Sequence, residues 1–312
     1  MLLASALAAL LVGGAWFGLR TVSGLRSPVQ AAPRAASPAP SAPASVSLPA
    51  YSHVFLVMME NHGYDSIVGS RSAPYLNGDL IAHGAVAANY HGVAHPSLPN
   101  YVALQSGQTA GITTDCSPGP DCTANVPNLA DRLEASGKSW KAYEESMPRP
   151  CTTDDSGAYA VRHDPFVYFD DVRGDAGRCA SHVVPLTELG ADLHSGHLPD
   201  FAFITPNVQD DMHDGTVAEG DSWLRGELPP LLGTPGSLVI VAWDEAEDGQ
   251  SGNQVAAIFD GPGVAAGAVW RGDANHYSLL HTIEALEGVA PLTQADGQAA
   301  VMAGMFAGTG HA

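Results

Sequence analysis

Seven consecutive residues, Ser237-Leu238-Val239-Ile240-Val241-Ala242-Trp243, form an almost unbroken apolar run that stops at Asp244-Glu245. Such a run is short for a helix and too uniformly apolar for a strand with one wet face. It predicts a strand buried on both sides. His53–Met59, Phe201–Ile204 and Val255–Phe259 repeat the pattern. Helical stretches separate them. Residues 74–83 carry Pro in the first turn, 128–136 stop at Gly137, 221–232 are broken near Pro229, and 277–287 stop at Gly288. Buried strands alternating with helices predict an α/β fold, with a mainly parallel sheet flanked by helices on both faces. The stretch 116–199 is richer in loops and gives no such pattern.

The residues before this region read differently. Residues 1–26 open on an apolar run without charge up to Arg20, as in a signal peptide or an N-terminal membrane anchor. Residues 27–50 are rich in Pro, Ala and Ser, as in a linker. The folded catalytic domain is then expected over 51–312, and the protein outside the cytoplasm, secreted or held only by its N-terminal segment. Four cysteines fit an oxidising compartment. They allow three pairings; Cys116 with Cys122 would close a small loop, and Cys151 with Cys179 would tie down the central stretch.

Charge removes whole classes of function. There are 33 acidic residues against 13 Lys and Arg, a net charge of −20. A nucleic-acid partner needs a basic surface and is excluded on this balance, as is a polybasic membrane module. The 13 histidines, as many as all Lys and Arg together, point instead to proton transfer or ligand binding.

In parallel sheets, ligands bind beyond the carboxyl ends of the strands. Glu60-Asn61-His62 follows the first strand, Pro206-Asn207 to Asp214 follows the Phe201 strand, and Asp244-Glu245 follows Trp243. His95-Pro96-Ser97-Leu98-Pro99-Asn100 and Asn275-His276 add two further polar clusters. The oxygens of Glu60, Asn61, Asp244 and Glu245 suit one hard divalent cation, calcium or magnesium, with the Ser97 hydroxyl completing the shell as nucleophile. A Ser-His-Asp esterase is the rival, but no Gly-x-Ser-x-Gly elbow is present.

Taken in order, Glu60-Asn61, His95 to Tyr101, Pro206-Asn207, Asp211-Met212-His213-Asp214-Gly215, Gly220 to Leu224, Trp243-Asp244-Glu245 and His276-Tyr277-Ser278 resemble the bacterial phosphoesterase family. That family contains secreted acid phosphatases and phospholipases C. The resemblance is nearest to short secreted acid phosphatases acting on phosphatidylinositol 3-phosphate, and it covers nearly all of 51–290. It implies an alkaline-phosphatase-like fold, with one metal retained and the second replaced largely by histidines. By motif, Asn100 would bond a phosphoryl oxygen, and His213 and His276 would stand near the vacated metal position. Of the adjacent Asp210 and Asp211, either could face the site. His62 and His91, close to motif residues, are further candidates.

The resulting expectation is a metal-dependent acid phosphatase. Ser97 becomes phosphorylated, one of His95, His213 and His276 protonates the leaving oxygen, and water frees the phosphate. Histidines in place of a cation carry charge below about pH 6.5 when unperturbed, which predicts an acidic optimum. Substrates would be small phosphate esters or a phosphoinositide headgroup. A phospholipase C-type diesterase and a catalytically inactive metal- or surface-binding protein are the alternatives.

Overall fold

The computed structural model describes residues 47–247 and 251–308. The leader, and the linker up to residue 46, lie outside the described residues. Nine strands form one sheet: β1 (His53–Met59), β2 (Ala85–His91), β3 (Trp140–Glu144), β4 (Val183–Pro185), β5 (Phe201–Thr205), β6 (Ser237–Trp243), β7 (Gln254–Asp260), β8 (Ala268–Trp270) and β9 (Ala274–Asn275). Their order is β4-β3-β5-β1-β6-β7-β2-β8, with β9 paired to β2. All residues of β5 and β6 are buried, and all of β1 except His53. Successive strand side chains point to opposite faces, so this burial means that both faces are covered.

The sheet is mixed rather than uniformly parallel. β1, β3, β4, β5 and β6 run parallel, whereas β7 is antiparallel to both β6 and β2. The cause is chain length. Parallel neighbours need a crossover of a dozen or more residues, and only residues 244–253 join β6 to β7. β2 is not apparent in the sequence, because Ala85-Val86-Ala87-Ala88-Asn89-Tyr90-His91 is neither a continuous apolar run nor a clean alternation.

The helices follow their punctuation. Leu129–Ala135 starts at an Asn128–Asp131 capping box, and Gly137 beyond it has φ 74°. Val217–Leu232 begins at a Thr216–Glu219 capping box and carries Pro229 and Pro230 in its last turn. His276–Glu287 ends at Gly288, with φ 69°. The helical stretch from Pro74 to His83 contains a π-helical segment over Leu76–Leu80, and the Asp221 carboxylate accepts from the Tyr75 and Leu76 amides. Cys116 is bonded to Cys122 and Cys151 to Cys179.

Behind the His276–Glu287 helix, two carboxyl groups share one donor. The Leu292 amide donates to Glu284 Oε1 (3.0 Å) and to Asp296 Oδ2 (2.7 Å). Burial, and then the neighbouring Asp296, push the Glu284 carboxyl up to about 9. A folded-state value above the unfolded one means that stability is lost as pH rises between the two. Glu284→Gln is therefore expected to raise Tm at pH 8 but not at pH 4, by about 2–4 °C per kcal/mol recovered. Thermal melts at both values test this; equal shifts would contradict it.

Candidate active site

The register between β1 and β6 pairs Met59 with Trp243, so Glu60 and Asp244 leave the sheet side by side. The Asp244 amide donates to the Met59 carbonyl (3.1 Å), and the Glu60 amide to the Asp211 carbonyl (2.8 Å). Three carboxylates from three strand ends thus meet, all fully buried. Asn61 takes φ 50°, a left-handed conformation that Asn tolerates, and its amide donates to Asp244 Oδ1 (3.2 Å). Close backbone contacts fix the loops. A side chain at Gly92 would strike the Asp244 carbonyl, and one at Gly215 would strike the Gln209 carbonyl.

Ser97 opens the helix Ser97–Ser106 and is 2% exposed. The preceding His95–Pro96 peptide is cis. Its hydroxyl donates to Glu60 Oε2 (2.9 Å), lies 3.4 Å from Glu245 Oε1, and also reaches Asp244. Tyr101, one helical turn further on, donates to Glu60 Oε1 (2.5 Å). Burial, then the charges of Asp244 and Asp211, raise the Glu60 carboxyl well above the usual range, opposed by the bonds from Tyr101 and Ser97. Burial lifts Asp244 to about 7, against bonds from the Asn61 and Glu245 amides and Ser97, with the charge of Asp211 adding to the rise. Asp211 is likewise lifted to about 7 by burial, against its bond from the His213 amide.

Such a cluster of buried anions fits a cation. Asn61 Oδ1 and Asp244 Oδ2 are buried without a hydrogen-bond partner. Buried acceptors are rarely left unsatisfied, and oxygen donors of this kind match a hard divalent ion. A second set combines Glu60, His163 and His213, whose ligand atoms lie within 4.8 Å of one another and could hold a metal ion. Glu245 is not in that set. Its carboxylate reaches Ser97 with one oxygen and pairs with His95 Nδ1 through the other.

The other sequence candidates divide. A cavity of 390 Å³ opens above Ser97, lined also by Asn61, His62, Pro96, Asp115, His213, Glu245, Ala246 and Glu247. Asp211 faces inward, 3.0 Å from His163 Nδ1, whereas Asp210 accepts from the Asn207 side chain (3.0 Å). Asn100 is fully buried and does not point into the cavity. Its Oδ1 accepts from the Val93 and Ala94 amides, and its Nδ2 donates to the Ala94 and Pro96 carbonyls. That bonding fixes the turn ahead of Ser97. His276 is enclosed, with Nε2 2.6 Å from the Asp244 carbonyl and Nδ1 2.6 Å from Tyr90 Oη. Burial holds it down to about 4. His91 contacts the Gly252 carbonyl and Asn89 rather than the cavity.

Three neighbours of the cluster could not be placed there from the sequence, where Arg162 is an available cation without a position and His163 reads as structural or surface. His163 is 1% exposed and stacks on Tyr101; its Nδ1 is 3.0 Å from the Asp211 carboxylate. Its buried Nε2 lies 3.4 Å from Glu60 Oε1. Asp115 accepts from the Leu98 amide (2.9 Å), next to Ser97. Arg162 Nη2 lies 3.2 Å from His213 Nε2. Arg162-His163-Asp164-Pro165 follows no strand; its signal was a basic pair beside a proline.

The chain is 35% identical over 253 residues to the phosphatidylinositol-3-phosphatase of Mycobacterium tuberculosis, covering 79% of this chain and 80% of that protein. It is 30% identical over 268 residues to a probable acid phosphatase of Kluyveromyces lactis, covering 81% of this chain and 62% of that one. A Vibrio parahaemolyticus protein of the alkaline phosphatase superfamily superposes with TM-score 0.59 at 13% identity, over 81% of this chain and 70% of its own. That likeness establishes the fold, an alkaline-phosphatase-like α/β architecture on a mixed, mostly parallel sheet. The phosphoesterase family model matches residues 70–290, and the chain belongs to the phosphoesterase family.

Proposed function

We propose that this protein is a metal-dependent acid phosphatase that hydrolyses phosphate monoesters through a phosphoserine at Ser97. The observation that carries the reading is the Ser97 hydroxyl at a helix N-terminus, bonded to buried Glu60 and flanked by the unpartnered oxygens of Asn61 and Asp244. The names of the two relatives support the activity, and the mycobacterial one supports a phosphoinositide headgroup as substrate. The two disulfides support a location outside the cytoplasm.

A hard divalent cation held by Glu60, Asn61, Asp244 and Ser97 Oγ would lower the hydroxyl's pKa and draw charge from a phosphoryl oxygen. The rest falls to side chains. Glu245, held by His95, takes the proton of Ser97 as Oγ bonds to phosphorus. The bond to the alcohol breaks in line with that attack. The alcohol oxygen takes its proton from His62, which lines the cavity; His213 lines it too, but its Nε2 accepts from Arg162 and its Nδ1 faces Asp214. The same histidine, His62, then accepts a proton from the water that cleaves the phosphoserine, and Glu245 returns its proton to the departing Ser97 Oγ. Histidine charge rises as pH falls, which gives the acidic preference.

A substrate panel tests the reading. p-Nitrophenyl phosphate and phosphatidylinositol 3-phosphate are expected to be hydrolysed faster at pH 5 than at pH 8. Chelator should stop turnover and added divalent ion restore it. Cleavage of phosphatidylcholine or bis(p-nitrophenyl) phosphate with monoesters untouched would overturn it in favour of a diesterase.

A further inference from the structure

Of the ten Lys and Arg residues beyond residue 46, Arg162 is the one whose guanidinium meets the catalytic cluster. Other cations near acidic groups are committed elsewhere. Arg178 bridges Asp131, Glu134 and Asp171, Lys141 pairs with Asp192, and Lys138 with Glu287. Arg162 is half-buried, and among the described residues no carboxylate lies within ion-pair distance of it. Its hydrogen bond goes to a neutral acceptor, His213 Nε2, whose other nitrogen lies 2.8 Å from Asp214 Oδ1.

A half-buried guanidinium with no carboxylate in ion-pair contact, whose charge acts on the Asp211 carboxyl only at longer range, can receive an anion. His213, which it touches, lines the cavity above Ser97. The ligand atom of His213 is within 4.8 Å of those of Glu60 and His163. Arg162 Nη2, 3.2 Å from His213 Nε2, therefore stands beside a residue that both lines the cavity and lies near Glu60.

Resting on the phosphatase reading above, we infer that Arg162 is the second positive charge of the site, clamping the non-bridging oxygens of a phosphate monoester dianion. A monoester carries one more negative charge than a diester. A planar guanidinium with two parallel donors matches two such oxygens, which an ammonium cannot do. Arg162 is then a specificity-determining residue that favours monoesters over diesters.

The test compares the full chain with Arg162→Ala and Arg162→Lys on p-nitrophenyl phosphate and bis(p-nitrophenyl) phosphate. Arg162→Ala is expected to lower kcat/KM for the monoester about 100-fold and to change the diester rate by under about 5-fold. Arg162→Lys should recover about a tenth of the monoester rate, and added guanidinium ion should rescue the alanine variant. Equal losses on both substrates without guanidinium rescue would mean a merely structural role. An unchanged monoester rate, or two metal ions per wild-type chain, would also overturn the clamp. If wild type turned over neither substrate, the phosphatase reading would fail by itself. Inorganic phosphate would then decide the clamp, with Kd expected to rise about 10-fold or more in Arg162→Ala, and an unchanged Kd refuting it.

Discussion

Ser97→Ala is expected to lower turnover of phosphate monoesters by about 10⁴-fold or more while leaving the fold intact. The size follows from the mechanism, since no other hydroxyl stands beside Glu60 in a position to attack; Tyr101 is turned to the far oxygen of that carboxylate. Folding should survive, because Glu60 keeps its bond from Tyr101 and the change removes one atom. Circular dichroism and the melting profile check the fold, and steady-state rates check the loss. A variant that kept a tenth of the wild-type rate would require a water nucleophile.

Asp244→Ala is expected to lower metal affinity at least about 100-fold, leaving the purified protein with little bound metal. The carboxylate is fully buried, its Oδ2 is unpartnered, and it faces Glu60 and Asp211 at close range. Removing it takes away both a ligand and part of the field that attracts the ion. In the metal-free protein the same substitution relieves repulsion among buried anions. The variant should then melt no lower than chelated wild type, while wild type alone should gain Tm when divalent ion is added. Elemental analysis and paired melts read both effects. Full metal occupancy in the variant would place the ion elsewhere, with Glu60, His163 and His213 as the next donor set.

Much of this site was legible in the sequence, for a definite reason. Glu60 and Asp244 follow unbroken apolar runs, and a buried strand delivers the residue after it to the sheet edge. Ser97 stood out in a proline-flanked turn. The mainly parallel sheet was legible, but periodicity is the same for parallel and antiparallel strands, so nothing marked β7 as the antiparallel one. His163 and Arg162 were not legible either. They lie on a short 3-10 turn inside the loop-rich stretch, placed by tertiary bonds such as that from the Val161 amide to Asp155. Asn100 and His276 show the opposite limit. Their types suit phosphate chemistry, yet every polar atom of both side chains is engaged within the protein, with the backbone of Val93, Ala94 and Pro96 for Asn100 and with the Asp244 carbonyl and the Tyr90 hydroxyl for His276.

In the proposed mechanism, phosphate passes through Ser97. Rapid mixing with p-nitrophenyl phosphate at pH 5, acid quench and peptide mass spectrometry test it most directly. The account predicts one phosphoryl group on the peptide carrying Ser97, formed as fast as p-nitrophenol is first released, and absent in Ser97→Ala. Steady turnover with no phosphopeptide, together with inversion at a chiral phosphorus, would contradict it, because two successive displacements retain configuration and a single attack by water inverts it.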